Sequence, residues 1–260
     1  MHPVGRLIPS VFVLLGYATA VTGAEAAEVR IGVAANFVAT LEQMAGPFER
    51  RYGHRMVISS GSTGKLYAQI SNGAPYDLFL AADRARPERL EAEGEGVPGT
   101  RFTYALGRIV LWSKQPHQQG DSSAVLTRGQ FRRLAIANPL TAPYGLAAQQ
   151  VMQQLGVWEL LQPKLVRGEN IAQTFQFVAS GNAELGFIAP AQLRARGEPI
   201  GTAWEIPAKL HRPIEQQALL LRGARQPQAA QAFLTFLRSD EVHGILQRFG
   251  YDVPPVETAE

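Results

Sequence analysis

The sequence predicts an α/β protein built on mainly parallel sheets flanked by helices, arranged as two lobes or as one large domain. Two observations carry this. At 260 residues the chain exceeds the usual size of a single core. From residue 29 onward, short runs rich in Val, Ile and Leu alternate with segments whose apolar residues recur at helical spacing, the order that buries parallel strands between helices.

The first strand is VRIGVAA (29–35). It leads into a helix in which Phe37, Leu41, Met44 and Phe48 share one face and which Gly53 ends. MVISSGS (56–62) is the second strand, feeding a helix through Leu66 and Ile70 that stops at Ser71, Asn72 and Gly73. YDLFLAAD (76–83) is the third. Residues 84–99, rich in Glu, Gly and Pro, read as a helix and a surface loop, and RIVLWS (108–113) as a strand. After the polar loop 114–123 the pattern restarts with a short helix near 123–131, LAIAN (134–138), and a helix from Tyr144 to Leu155. LVRG then leads to a helix from Ile171 to Ser180, and ELGFIAP (184–190) is a strand, so the middle of the chain reads as a second α/β unit. EQQALLL (215–221) is a last strand, and helices at 227–237 and 241–249 close the chain. No internal repeat or low-complexity tract interrupts this order.

Composition excludes several classes. The absence of cysteine removes a disulfide framework, a thiolate nucleophile, a thiolate metal site and an iron–sulfur cluster. The 25 basic side chains exceed the 22 acidic ones by three, but most are arginines scattered singly or in pairs. No basic stripe of the kind nucleic-acid binding requires is present. Residues 1–26 read as a secretory signal: Arg6 follows the amino terminus, an uncharged stretch runs from Leu7 to Ala24, and Ala24 and Ala26 form an A-x-A cleavage site. Cleavage after Ala26 is preferred to the Ala18-Thr19-Ala20 site because a strand begins almost at once, at Val29. Pro9 and Gly16 make the segment a poor spanning helix, and no later segment is apolar enough to cross a bilayer. A soluble, exported mature protein is expected.

The informative feature is a set of loops joining strand ends to helix starts. Asn36 follows the first strand, and Ser62 and Thr63 follow the second. Thr141, Pro143, Tyr144 and Gly145 follow LAIANPL, and Asn170 and Ile171 open a helix after LVRGE. In an open parallel sheet such loops converge on one crevice. Helix starts leave free backbone N–H groups and a partial positive charge, which favour an anion, and Asn, Ser, Thr and Tyr add neutral donors. Each of Asn36, Ser62, Thr63 and Asn170 is equally an ordinary helix-capping residue.

Catalytic patterns are absent. GSTGK (61–65) fails as a phosphate loop, because Ser59 and Leu66 stand where Gly and Ser or Thr are needed. The histidines form no zinc pair, and there is no G-x-S-x-G elbow. Asp77 and Asp83 on one predicted strand lie roughly 20 Å apart, too far for an acid/base pair, and read as strand-end caps and inter-lobe contacts. Trp112, Trp158 and Trp204 are scattered and read as packing residues.

VAANF, SSGSTGKLYAQISNGAPYDLFLAAD, NPLTAPYGLAAQQVMQQLG and the terminal RFGYDV are similar to the periplasmic molybdate-binding proteins of molybdate ABC transporters, over most of residues 29–253. The resemblance implies a two-lobed, type II Venus-flytrap fold, with 27–108 plus 216–260 as one lobe and 109–215 as the other. It implies a tetrahedral oxyanion held in the cleft by Asn36, Ser62, Thr63, Tyr144 and Ile171, the last through its backbone N–H. Some relatives carry a tyrosine ligand where this chain has Ala189, and the Tyr144 hydroxyl is expected to replace it. Molybdenum would be held only as molybdate, with no cofactor and no catalysis. Also implied are tungstate as a second ligand, an inner-membrane ABC permease as partner, a monomeric state, and a periplasmic location. The alternative is a receptor for another tetrahedral oxyanion such as sulfate.

A fully ionised oxyanion offers only acceptors, so a donor-only pocket satisfies it completely. A protonated anion such as hydrogen phosphate leaves its own donor unpaired, at a cost of about 1–3 kcal/mol. Sulfate has the same charge but is smaller, so cavity size must reject it.

Overall fold

A computed structural model describes residues 26–115, 122–197 and 201–254. The expected signal segment and its cleavage site lie outside them but for Ala26. Two five-stranded sheets form the framework. The first contains β1 (Glu28–Ala34), β2 (Arg55–Gly61), β3 (Leu78–Ala81), β4 (Phe102–Gly107) and β10 (Ile214–Leu220), in the order β2-β1-β3-β10-β4. The second contains β5 (Val110–Ser113), β6 (Leu134–Ala137), β7 (Leu165–Gly168), β8 (Leu185–Ile188) and β9 (Thr202–Glu205), in the order β7-β6-β8-β5-β9.

The two sheets share one plan. In the first, β1, β2 and β3 are parallel, and β10 runs against both β3 and β4. In the second, β6, β7 and β8 are parallel, and β5 runs against both β8 and β9. Each sheet is therefore mixed, with one reversed strand in the fourth place. The reversed strands lie next to the chain crossings: Gly107, the last residue of β4, is followed within three residues by β5, and β10 brings the chain back to the first sheet.

Helices cover both faces of each sheet. In the first lobe α1 (Val38–Tyr52) packs with the closing helices α9 (Pro227–Leu237) and α10 (Asp240–Arg248), burying Leu41, Met44 and Phe48 against Phe233 and Phe236. The α1 stop is the predicted one: Gly53 takes the left-handed conformation at φ 71° and its N–H caps the Glu49 carbonyl. The other face is covered by α2 (Thr63–Ser71) and α3 (Ala85–Ala92), through Leu66, Ile70 and Leu90 against Phe79 and Leu219. In the second lobe, α4 (Ser122–Arg128), α5 (Pro143–Gln154) and α6 (Trp158–Leu161) share one core with Ile136 and Phe187. On the opposite face lie α7 (Ile171–Ala179) and Leu193 of α8 (Pro190–Arg194). Trp112 is buried and stacked on Phe175 at 5.0 Å, and Trp158 and Trp204 pack against the α5 core, so all three serve packing.

Some expectations shift. The strand predicted over 76–83 is only Leu78–Ala81, so Asp77 and Asp83 lie beyond its ends. Asp77 is 1% exposed and accepts three backbone N–H groups, from Arg30 at 2.7 Å, Arg225 at 2.6 Å and Gln226 at 3.1 Å. It therefore ties β1 and β3 to the start of α9. Asp83 instead holds the Arg86 guanidinium, which reaches across the cleft. Strands β4 and β9 were not predicted: FTYALG and TAWE are short and lie next to loop-like composition, and pairing with β10 and β5 decides their state.

Asp77→Ala removes one buried carboxylate and leaves three part-buried backbone donors unpaired, so it lowers unfolding free energy by about 1–3 kcal/mol, read by urea denaturation. A loss under about 1 kcal/mol would mean water replaces the carboxylate.

Candidate functional site

The loops at the carboxyl ends of the parallel strands meet in one small cavity between the sheets. Its wall is made of residues 34–36 after β1, 61–63 after β2, Ala82 after β3, 142–144 before α5 and 170–171 before α7. All five predicted site residues, Asn36, Ser62, Thr63, Tyr144 and Ile171, line it. None of the lining residues is Asp, Glu, His, Lys or Arg. The space left for a water-sized body is only about 10 Å³, about the room of one water, so this closed arrangement holds no space for a nucleotide, sugar or peptide.

The backbone supplies directed donors. Among the described residues, the N–H groups of Asn36, Thr63, Tyr144 and Ile171 have no hydrogen-bond partner. Three of them are first-turn positions of α2, α5 and α7, where helical geometry leaves N–H groups free and the helix dipole adds partial positive charge. Asn170 is the cap the sequence allowed: its Oδ1 accepts from the N–H groups of Ala172 and Gln173, each at 3.0 Å. That leaves the Ile171 N–H free. Gln192 of α8 steadies the same turn by donating to the Ile171 carbonyl at 3.0 Å.

The two hydroxyls at the start of α2 differ. Ser62 is the N-cap residue, yet its side chain makes no capping bond, and its Oγ is buried without a partner among the described residues. Thr63 Oγ1 accepts from the Ala82 N–H at 3.1 Å and so fastens the end of β3 to the helix start. Its own proton remains available. Tyr144 is 2% exposed and its hydroxyl, against Gly107 and Ile214 at the crossing, also lacks a partner among the described residues. Burial, then the nearby Tyr251 and Tyr104, push the Tyr144 phenol well above its usual value, so it stays a protonated donor.

Asn36 departs from the capping alternative, since Phe37 occupies the N-cap of α1. Asn36 is 2% exposed, and its Nδ2 donates to Gln216 Oε1 at 2.7 Å and to the Tyr251 hydroxyl at 3.2 Å. Tyr251 in turn donates to the Asn36 carbonyl at 2.9 Å. Burial raises the Tyr251 phenol to about 12, against the lowering effect of hydrogen bonds with Asn36, Thr40 and Gln216. Gln216, Tyr251 and Tyr104 were not read as site residues. The available signal was the glutamine pair that precedes the apolar residues of EQQALLL.

Around the cavity the lobes touch. The Gly64 N–H donates to the Thr141 carbonyl at 2.8 Å, Arg86 donates to the Leu140 carbonyl at 3.1 Å, and Lys65 pairs with Glu169. At the back, Arg194 of α8 donates to the Gln247 and Arg248 carbonyls at the end of α10, at 2.9 and 3.0 Å. The lobes are therefore closed over the cavity. A side chain at position 64 would crowd this seam: a Cβ there would stand 3.1 Å from the Thr141 carbonyl oxygen, the Thr141 Cα and the Arg86 guanidinium, so the neighbours would have to give by a few tenths of an ångström.

The sequence profile of the bacterial extracellular solute-binding protein family matches residues 29–252. The molybdate-binding protein ModA of Azotobacter vinelandii is 47% identical over 240 residues, covering 92% of this chain and 95% of the relative. ModA of Rhodobacter capsulatus is 44% identical, covering 88% and 89%. The solved structure of the A. vinelandii periplasmic molybdate-binding protein superposes with a TM-score of 0.84 at 41% identity, covering 87% of this chain and all of that one. No helix among the described residues is long and apolar enough to cross a membrane. With a profile match across nearly its whole length and relatives above 40% identity, the chain belongs to the bacterial extracellular solute-binding protein family, beside the molybdate-binding ModA proteins.

Proposed function

We propose that this protein is a periplasmic receptor that binds molybdate, and tungstate with it, in the cleft between its lobes and delivers the anion to an inner-membrane ABC importer. One observation carries the reading: a small, closed cavity is lined by unpartnered N–H and O–H donors and by no formal charge. The names of the relatives point to the same anion. In this reading Asn36, Ser62, Thr63, Tyr144 and Ile171 hold the oxyanion, residues 27–108 with 216–260 form one lobe, and 109–215 form the other. The protein acts as a monomer, is exported with cleavage after Ala26, and catalyses nothing.

The physical case rests on desolvation. A lysine or arginine in so tight a cavity would have to be stripped of water, a cost neutral dipoles avoid. Neutral donors also leave the released anion without a strong counter-charge to escape. The donors are split between lobes, with Asn36, Ser62 and Thr63 on one side and Tyr144 and Ile171 on the other. An anion bridging them therefore favours the closed form, because it has all its partners only there. The closed form then presents both lobes to the importer.

Thermal unfolding with molybdate, tungstate, sulfate, phosphate and vanadate tests the ligand. Molybdate and tungstate at about a thousand times their Kd add about 4 kcal/mol to stability. A shift with sulfate and none with molybdate overturns the reading. Ser62→Ala and Tyr144→Phe each weaken molybdate binding by about 1–3 kcal/mol in calorimetric titration, and leave the ligand-free protein as stable or more so, because each removes an unpaired buried hydroxyl. A fall in ligand-free stability with unchanged affinity would make these hydroxyls structural. Gly64→Ala keeps the lobes apart and weakens binding about tenfold, with ligand-free stability held; unchanged affinity would show that closure tolerates the added methyl.

A further inference from the structure

The donors of Asn36 pose a problem for the reading above. Its amide nitrogen is already engaged by Gln216 Oε1 and the Tyr251 hydroxyl, both buried behind the cavity. Gln216, fully buried, has the opposite difficulty: its Nε2 has no partner among the described residues. A buried unpaired N–H donor is costly, more so than an unpaired carbonyl oxygen.

The backbone builds this pairing on purpose. Along the β4–β10 ladder, Gln216 pairs with Ala105 and Gln217 with Thr103, which leaves Tyr104 as the extra residue of a bulge. Bulges re-aim side chains beside functional sites. Here the bulge lets the Tyr104 hydroxyl approach Gln216 Oε1 at 3.4 Å and the Ala81 carbonyl at 3.5 Å. The Phe37 ring, next to Asn36 in the chain, packs against both phenol rings, 4.8 Å from Tyr104 and 5.4 Å from Tyr251.

We propose that Gln216 is the positioning residue for Asn36, and that the two amides turn together when an oxyanion enters. After the turn Gln216 Nε2 donates to Asn36 Oδ1, and Asn36 Nδ2 is released to the anion. Tyr251 loses the Asn36 Nδ2 donor and shares its hydroxyl proton between Asn36 Oδ1 and the Asn36 carbonyl, while Tyr104 donates to Ala81. The exchange conserves the contact between the two amides while adding a donor to the cavity. It rests on the anion-binding reading. Gln216 itself does not line the cavity and so acts only through Asn36.

The test is a double-mutant cycle read by calorimetry with molybdate. Gln216→Met weakens binding about tenfold in the otherwise unaltered protein and less than about twofold when Asn36 is already Ala. Gln216→Glu, measured at a pH high enough to ionise its buried carboxyl, accepts but cannot donate, so it holds Asn36 Nδ2 away from the cavity and weakens binding more than Met does. Nitrogen-15 spectra supply a second readout: the Asn36 side-chain amide signal moves on adding molybdate to the unaltered protein and stays in place in Gln216→Glu. Equal losses in both backgrounds, or wild-type affinity in Gln216→Met, overturn the proposal. If the unaltered protein ignores molybdate, the functional reading has failed instead, and the amide signal followed during a sulfate titration decides the coupling on its own. Should Gln216→Met not fold, Gln216→Glu with the amide signal carries the same decision.

Discussion

The structure depends on one constraint: backbone N–H groups that nothing in the protein satisfies must be held facing a common point. Left free in a collapsed chain, such groups would find carbonyl partners, because an unpaired buried donor costs about as much as several methyl groups of burial gain. Two sheets prevent this. The parallel strands β1, β2 and β6, β7 end on opposite sides of one cavity, and each following turn leaves one N–H group, that of Asn36, Thr63, Tyr144 or Ile171, without a carbonyl partner among the described residues. The local caps are arranged around the same constraint. Asn170 satisfies the second and third N–H groups of α7 and spares the first, while Ser62 forgoes capping and keeps its hydroxyl free.

The same logic explains the closed cleft. Two bodies joined only by short crossings would open easily, so the lobes carry their own contacts at the rim. The bond from Gly64 to Thr141 uses a first-turn N–H of α2 for closure instead of for a ligand. At the opposite edge Arg194 meets the carbonyl end of α10, where the helix dipole favours a cation. These contacts are few and partly exposed, and exposed ion pairs such as Lys65–Glu169 contribute little. Closure is therefore poised, and an occupant that bridges both lobes can tip it.

The sequence carried most of this framework because strand ends and helix starts are written locally. Asn36, Ser62, Thr63 and Tyr144 were legible as donor side chains placed after a strand and Ile171 as a helix start, and Gly53 and Gly73 marked helix stops that the chain obeys. What stayed hidden depends on partners far along the chain. Gln216 and Tyr251 meet Asn36 across 180 and 215 residues, and no spacing rule links positions so distant. Asp77 and Asp83 were placed on one strand because YDLFLAAD is continuous in character, but only its four central residues find pairing partners. Strand β4 was missed for the related reason that its state is set by β10, which arrives more than a hundred residues later.

A pocket lined by neutral donors raises the question of where selectivity resides. Charge cannot supply it, since the lining has none and any doubly charged tetrahedral anion presents the same acceptors. Proton content separates anions that carry an O–H from those that do not, because a ligand donor would face protein donors and remain unpaired. Size must separate the rest. Size is read well only by a rigid wall, and this wall is rigid for identifiable reasons: Thr63 fastens α2 to β3, Gln192 fastens α7 to α8, and Phe37 packs between Tyr104 and Tyr251 behind Asn36. A smaller anion would then lengthen every hydrogen bond at once, and hydrogen bonds weaken steeply with distance. Selectivity in this fold thus lies in the residues that fix the donors, more than in the donors themselves.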